Sequence, residues 1–298
     1  MIRKALRRRT RKSRYKLVAL LVNLLAFLLE LLPERVLPPL CRLLGRLFMP
    51  PLVRRDALRN LALALPGSSR AERVAIARRM YRGFGAMAAE ILLTRRKGAA
   101  YVRRTLFTDE SERHLQACLD RGRGVIILTG HFGNWELLAW WGAVTLPLPV
   151  AVLGRKLHNP YLNRLLDRFR EAGGMEVIDR DQPPRRMVRH LQRPGVLGIV
   201  PDQDVDVLMG EFVPFFGRPA HTVTGPAALA ILSGAPILPA FTLREGRRHR
   251  IRFLPPILCD RGNSRAAERS RITRAWSEAM EEMIRAHPDH WAWWHNRW

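Results

Sequence analysis

The run Gly124-Val125-Ile126-Ile127-Leu128-Thr129 constrains this chain more than any other stretch. Four consecutive large aliphatic residues, three of them β-branched, leave a strand no polar face. Such a strand is buried on both sides, which a parallel sheet with helices on both faces achieves. The rest of the chain supplies the partners. Helical patterns cover 134–144, 159–172, 184–192, 224–232 and 264–286, and short apolar runs cover 150–153, 175–178, 196–200, 237–243 and 250–253. Upstream, the capping box Ser69-x-x-Glu72 opens a helix reaching about Leu93, and 109–121 forms another. Alternating strands and helices predict an α/β domain over 57–298 with a mostly parallel central sheet flanked by helices.

The N-terminus is of another kind. Residues 1–16 carry nine basic side chains and no acid, and an apolar run from Leu17 to Leu32 follows, broken only by Asn23 and Glu30. No small-residue cleavage site follows the run; Pro33-Glu34-Arg35 does. At 16 residues the run is short for the ~20 that cross a bilayer. The sequence predicts a basic cytoplasmic tail (1–16) and an uncleaved anchoring region (17–56) that dips into or spans the membrane. Its second half, 36–53, suits an interfacial helix with Arg42 and Arg46 among headgroups. Of the formal net charge of +25, nine units belong to the tail, so the rest still carries +16. That charge directs the protein to acidic partners: an anionic membrane, an acidic protein or nucleic acid. No nucleic-acid recognition motif is present, so that class is set aside. Three scattered cysteines, Cys41, Cys118 and Cys259, build neither a disulfide framework nor a zinc site.

Chemistry concentrates where the buried strand meets its helix, at Thr129-Gly130-His131-Phe132-Gly133-Asn134-Trp135-Glu136. Ligands favour the carboxyl ends of parallel strands. His131 is the expected general base. Glu136 is its expected partner, provided His131 sits in the turn and Glu136 in the first helical turn; on one continuous helix the two would point about 140° apart. Neither Ser nor Cys accompanies the pair, so attack by a substrate hydroxyl deprotonated by His131 fits better than a covalent intermediate.

The segment resembles the His-x4-Asp/Glu block of the bacterial lipid A biosynthesis acyltransferases, the late lauroyl and myristoyl transferases of the wider glycerolipid acyltransferase superfamily. Mycobacterial phosphatidylinositol mannoside acyltransferases are related. Further blocks follow in the family's order: Gly154-Arg155-Lys156 with Asn159-Pro160, Val200-Pro201-Asp202-Gln203-Asp204, Phe212-Val213-Pro214-Phe215-Phe216-Gly217, Thr224-Gly225-Pro226-Ala227, Ile237-Leu238-Pro239, and the aromatic and basic tail from His290 to Trp298.

The resemblance implies transfer of a fatty acyl chain from an acyl-carrier-protein thioester to a hydroxyl of a lipid A precursor, at the cytoplasmic face of a bacterial inner membrane. It implies His131 as base and Glu136 as its partner. Backbone amides around Gly133 and Asn134, and the Arg155 guanidinium, are the candidate oxyanion donors. Asp202 is a candidate second partner of His131 or an acceptor-binding group, and Arg218 a candidate phosphate ligand. Asp202-x-Asp204 invites a magnesium reading and His287-x2-His290 a metal reading, but the reaction needs neither; no metal and no cofactor are expected. The expected partners are an acidic acyl carrier protein, a phosphorylated lipid acceptor and the anionic membrane. The alternatives are another lipid acceptor, such as a glycolipid or lysophospholipid, and a noncatalytic membrane or nucleic-acid-binding protein.

Overall fold

A computed structural model describes residues 2–47, 51–204, 209–295 and 297–298, the side chains of 2–12, 51 and 52 excepted. The expected basic side chains as far as Lys12, residues 48–50 of the expected interfacial stretch, and Asn296 of the tail block lie outside the described residues. The chain begins with three helices, α1 (Ile2–Glu30), α2 (Leu37–Leu47) and α3 (Pro51–Ala64), followed by the long α4 (Arg70–Lys97) and α5 (Ala99–Thr105). Next come β1 (Leu106–Thr108), α6 (Glu112–Leu119), β2 (Val125–Leu128), α7 (Trp135–Thr145), β3 (Val150–Gly154), α8 (Pro160–Glu171), β4 (Glu176–Asp179), α9 (Arg185–Leu191) and β5 (Val196–Ile199). A hairpin, β6 (Gly210–Phe215) and β7 (Arg218–Val223), leads to α10 (Gly225–Ser233), β8 (Ile237–Glu245), β9 (Arg248–Phe253) and α11 (Arg265–Ala286).

The main sheet has the order β1-β9-β8-β2-β5-β3-β4. β8, β2, β5, β3 and β4 run parallel, while β9 lies antiparallel to β8 and carries β1 parallel to itself. The expected mostly parallel α/β core is therefore present, with β2 at its centre and all four of its residues buried. Apolar side chains fill both faces. One layer joins α9, α10, α11 and the tail tryptophans Trp291 and Trp293 to the sheet; the other joins α5, α6, α7 and α8.

Local chemistry sets the element ends. The Ser69 hydroxyl accepts from the Glu72 amide while the Glu72 carboxylate accepts from the Ser69 amide, so the capping box forms as expected. Asn134 caps α7, Asn159 caps α8 ahead of Pro160, and Ser264 caps α11.

The basic block and the apolar run form a single helix, α1, rather than a tail and a separate anchor. No helix among the described residues is long and apolar enough to cross a membrane. Instead α1 leaves a long row of aliphatic side chains exposed, among them Leu20, Leu24, Leu25 and Leu28, and α2 adds Leu43 and Leu47. α2 is bound to α4 through glycines. A Cβ on Gly85 would lie 2.1 Å from the Cys41 carbonyl, and one on Gly45 would lie 2.5 Å from the Tyr81 carbonyl. Backbones meet there, and any larger residue forces the helices apart. Position 56, where the sequence divides anchor from domain, lies within α3.

Candidate active site

The site lies at the carboxyl ends of β2 and β5. These strands pair in parallel with Leu128 opposite Ile199. Three residues past each partner stand His131 and Asp202, so the sheet register itself sets them side by side. His131 Nδ1 lies 2.7 Å from Asp202 Oδ1. Asp202 Oδ2 accepts from the His131 backbone N–H at 2.8 Å and from Trp291 Nε1–H at 2.8 Å. The carboxylate is buried, its side chain 1% exposed, against 23% for His131. Burial opposes the Asp202 charge, yet the His131 imidazole beside it and the hydrogen bonds it accepts hold its pKa well below the usual carboxylate range. An ionised Asp202 requires the proton on His131 Nδ1, which leaves the Nε2 lone pair free to take a proton from substrate.

Two glycines make this turn possible. A Cβ on Gly130 would lie 2.6 Å from Met280 Sδ and 3.1 Å from Asp202 Oδ2. Gly133 has φ of 59° and packs so closely that its Cβ would be 2.2 Å from the Thr242 carbonyl. The tail then closes over the turn: the Gly133 amide donates to the His290 carbonyl at 2.8 Å, and the Ala292 amide to the His131 carbonyl at 3.1 Å.

His295 joins the site from that tail, its ring centroid 4.7 Å from that of His131. The Gln203 carboxamide nitrogen is 3.2–3.3 Å from both nitrogens of His131 and 3.1–3.2 Å from both of His295. The amide therefore sits between the two rings, within hydrogen-bond reach of His131 Nε2. Burial, with the His131 charge adding to it, pushes the His295 pKa down to about 4, so this ring is neutral at pH 7.

Three expectations are corrected here. Glu136 does not meet His131. It lies buried in a two-point ion pair with Arg170, at 3.0 Å from Nε and 2.6 Å from Nη2, and also accepts from Trp135 Nε1 at 3.2 Å. Once α7 starts at Trp135, the Glu136 side chain turns towards α8. Second, the Gly133 and Asn134 amides are already committed, to His290 O and to Thr242 Oγ1 at 2.7 Å, and are not free oxyanion donors. The Asn134 side chain is fully buried, capping α7 at Leu137 N and donating to Glu90 Oε2 at 2.8 Å. Third, Arg218 is an exposed residue that donates to the Leu63 carbonyl at 3.1 Å, holding the hairpin to α3 rather than facing the site. Arg155 is exposed just past the end of β3, on the same edge of the sheet as His131, without a carboxylate partner among the described residues.

Two features were not legible. Glu90, buried on α4, gathers Asn134, Arg244 and His249 beneath the catalytic turn. Its only sequence signal is a lone carboxylate in an otherwise apolar stretch of α4. The second is a narrow apolar cavity of about 60 Å³ between α7 and the sheet. Leu138, Trp141, Gly142, Val152, Val196 and Gly198 line it, Glu136 and Arg170 form its polar wall, and Thr129 and Trp135 stand at the catalytic turn. The Trp135 ring meets the His131 ring edge-on at 4.9 Å, so the apolar space begins one ring away from the base. No group of three or more His, Cys, Asp or Glu side chains that could hold a metal ion occurs among the described residues.

An imidazole–carboxylate pair thus stands at the carboxyl ends of parallel strands, beside a narrow apolar cavity. The chain belongs to the bacterial lipid A biosynthesis acyltransferase family, whose model matches residues 3–298. It is 26% identical over 273 residues to lipid A biosynthesis acyltransferase 2 of Shigella flexneri, covering 87% of this chain and 81% of that protein. It is 30% identical over 182 residues to the phosphatidylinositol mannoside acyltransferase of Mycobacterium tuberculosis, and 29% identical to that of Mycolicibacterium smegmatis. These two matches cover 60% of this chain; the chain spans little more than half the length of the mycobacterial relatives, 55% and 58%.

Proposed function

We propose that the protein transfers a fatty acyl chain from an acyl-carrier-protein thioester to a hydroxyl of a lipid A precursor, with His131 as general base and Asp202 as the residue that orients it. The observation that carries this reading is the Asp202–His131 pair, one aromatic ring from the apolar cavity. The acyl chain lies in the cavity, where each methylene taken from water contributes about 0.8 kcal/mol. The thioester carbonyl then stands at the turn. His131 Nε2 takes the proton of the acceptor hydroxyl as its oxygen attacks, and Asp202 stabilises the imidazolium that forms. Collapse of the tetrahedral intermediate expels the thiolate, which takes the proton back from His131. Glu136 is given a different role from the one its spacing suggests: with Arg170 it sets the polar wall of the chain cavity.

The basic surface suits an acidic carrier protein and an anionic membrane. The exposed aliphatic row of α1 and α2, with the basic block on the same helix, suits binding at the cytoplasmic face of a bacterial inner membrane by lying on it. A second reading, acylation of a phosphatidylinositol mannoside, is favoured by the higher identity to the mycobacterial relatives.

The test incubates full-length protein with acyl-carrier-protein thioesters of several chain lengths and either a tetraacylated lipid A precursor or a phosphatidylinositol mannoside, with product read by mass spectrometry. A new ester that requires His131 and Asp202 supports the mechanism, and the acceptor that receives it decides between the readings. No ester with either acceptor from folded protein overturns both.

A further inference from the structure

On the other side of the catalytic turn lies a second cavity, of about 250 Å³, that the acyl-transfer reading does not use. A water takes up about 30 Å³ of liquid, so the space holds a polar group larger than a few waters. Its walls are cationic: Arg42 from α2, Arg79 and Arg82 from α4, and Arg244 from β8, with Asp289 as the one acid and Gly133 of the catalytic turn at its edge. Asp289 is fully engaged, paired to Arg79 at 3.1 Å and to His290 Nδ1 at 3.0 Å. Arg244 is engaged from beneath by Glu90. Arg42 and Arg82 have no carboxylate partner among the described residues.

The placement of those two is built into the helix crossing. Arg42 and Gly45 are three residues apart on α2, as are Arg82 and Gly85 on α4, so each arginine lies one turn before the glycine at which the backbones touch. A Cβ on Gly85 would stand 3.1 Å from Arg42 Cα. The close crossing thus brings two cations to one place, against their mutual repulsion. Arg42 is half-buried; burial and then the neighbouring Arg244 push its pKa down, with Arg82 and Arg247 adding and Glu90 opposing. Half-burying a cation among like charges is unfavourable unless an anion completes the cluster. A guanidinium fork matches the oxygens of a phosphate, which it can hold through two parallel hydrogen bonds.

The location indicates which phosphate. Arg42 shares its short helix with the exposed Leu43 and Leu47, and α1 carries further exposed aliphatic side chains. Phe84 lines the same cavity and packs 6.0 Å from Trp135, whose ring lies 4.9 Å from His131. The cavity therefore joins the apolar outer surface to the neighbourhood of the base. We propose that this arginine-lined cavity binds a phosphate of the lipid acceptor's headgroup, holding it beside the catalytic turn while the lipid's chains remain against α1 and α2. The proposal rests on the acyltransferase reading for the identity of the ligand as acceptor.

The test uses full-length protein in neutral detergent and calorimetric titration with dihexanoyl phosphatidic acid, a water-soluble phosphate lipid, against a dihexanoyl glycerol blank. Arg42→Gln/Arg82→Gln is compared with Arg46→Gln/Arg78→Gln, which removes two charges from the same two helices outside the cavity. Losing the charged hydrogen bonds weakens phosphate-lipid binding by about tenfold or more in the first pair, and by less than about twofold in the second. In acyl transfer, the first pair raises the acceptor KM more than the donor KM. Equal weakening in both pairs reduces the cavity to diffuse attraction and overturns the proposal. A donor KM raised as much or more assigns the cavity to the phosphate of the carrier's prosthetic arm and overturns it as well. Unfolding of the double variant is read by its melting temperature, and the exposed Arg82→Gln alone then carries the comparison. The binding arm does not need turnover: titration that succeeds without ester formation sinks the acyl-transfer reading only, and the reverse result sinks this proposal only.

Discussion

Replacing Asp202 by Asn separates orientation of the base from everything else the carboxylate does. Asp202 accepts three hydrogen bonds: two on Oδ2, from the His131 backbone and Trp291, and one on Oδ1 facing His131 Nδ1. A carboxamide has one oxygen. It satisfies most donors by placing that oxygen at the Oδ2 position, which turns its NH₂ towards Nδ1. The ring must then accept at Nδ1 and carry its proton on Nε2, the atom that has to accept from substrate. Catalysis loses both the correct tautomer and the charge that stabilises the imidazolium. In Ser-His-Asp enzymes the same exchange costs about 10⁴ in kcat, and a loss of ~10³–10⁴ is expected here, or roughly 4–5.5 kcal/mol at the transition state. The chain cavity is untouched, so donor KM stays within about threefold. The assay follows thiol release from the acyl donor with a thiol-specific dye, alongside a melting curve. If Asp202→Asn keeps kcat within about threefold while Glu136→Gln, still folded, loses it, the pairing is wrong. Glu136 is then the functional partner of His131.

Other perturbations test separate parts of the structure. Glu136→Gln leaves the guanidinium of Arg170 buried without its charge partner, which costs about 3–5 kcal/mol of stability by urea unfolding; Glu136→Gln/Arg170→Met regains much of it. Gly142→Val adds atoms where a Cβ meets nothing closer than 3.9 Å, against the wall of the acyl cavity, so product mass spectra shift to shorter chains while shorter donors keep their kcat. Gly85→Ala drives a methyl into the Cys41 carbonyl, and α2 has to move off α4. The melting point falls by an amount equivalent to about 1–3 kcal/mol, and acceptor KM rises more than donor KM. His295 has a folded pKa of about 4 against an ordinary 6.5, so between those values the unfolded chain binds the extra proton. Stability therefore falls as pH drops from 6.5 towards 4, by up to ~3 kcal/mol from this group, and urea titrations of His295→Asn show a flatter slope over that window.

The sheet was legible because its strands advertise themselves. Val125–Leu128 and Val196–Ile199 are apolar throughout, and helix ends carry Ser69, Asn134, Asn159 or Ser264, whose side chains cap by local geometry alone. α5 and the β6–β7 hairpin escaped for the opposite reason. α5 is seven residues with two arginines in its last turn, and the hairpin has Pro214 and Pro219 facing each other across its ladder. Neither has a period long enough to read. His131 was legible from the glycines around it. Its partner was legible only as a second candidate: Asp202 was named, but spacing within a segment puts the near carboxylate, Glu136, ahead of one 71 residues away. What decides between them is strand order. β5 lies directly beside β2 although β3 and β4 intervene in sequence, and a single sequence does not state that order. Arg170 and Glu90 are hidden by the same non-local pairing.

The turn from Thr129 to Glu136 divides two of the molecule's empty spaces. One is apolar and meets the turn at Thr129 and Trp135; the other is cationic and meets it at Gly133 and, through Phe84, at the same Trp135. A thioester with a long alkyl chain and a lipid with an anionic headgroup differ in just these properties, so each is repelled by the other's space. An alkyl chain gains nothing among arginines, and a phosphate loses its hydration in a slot lined by Leu138, Val152 and Val196 without regaining hydrogen bonds. In the proposed reaction, sorting by polarity on either side of this turn would bring the two substrates together at His131 Nε2. The buried carboxylates of Asp202 and Glu90 are where they are to keep that turn from moving: Asp202 holds its histidine, and Glu90 holds the asparagine that starts the next helix.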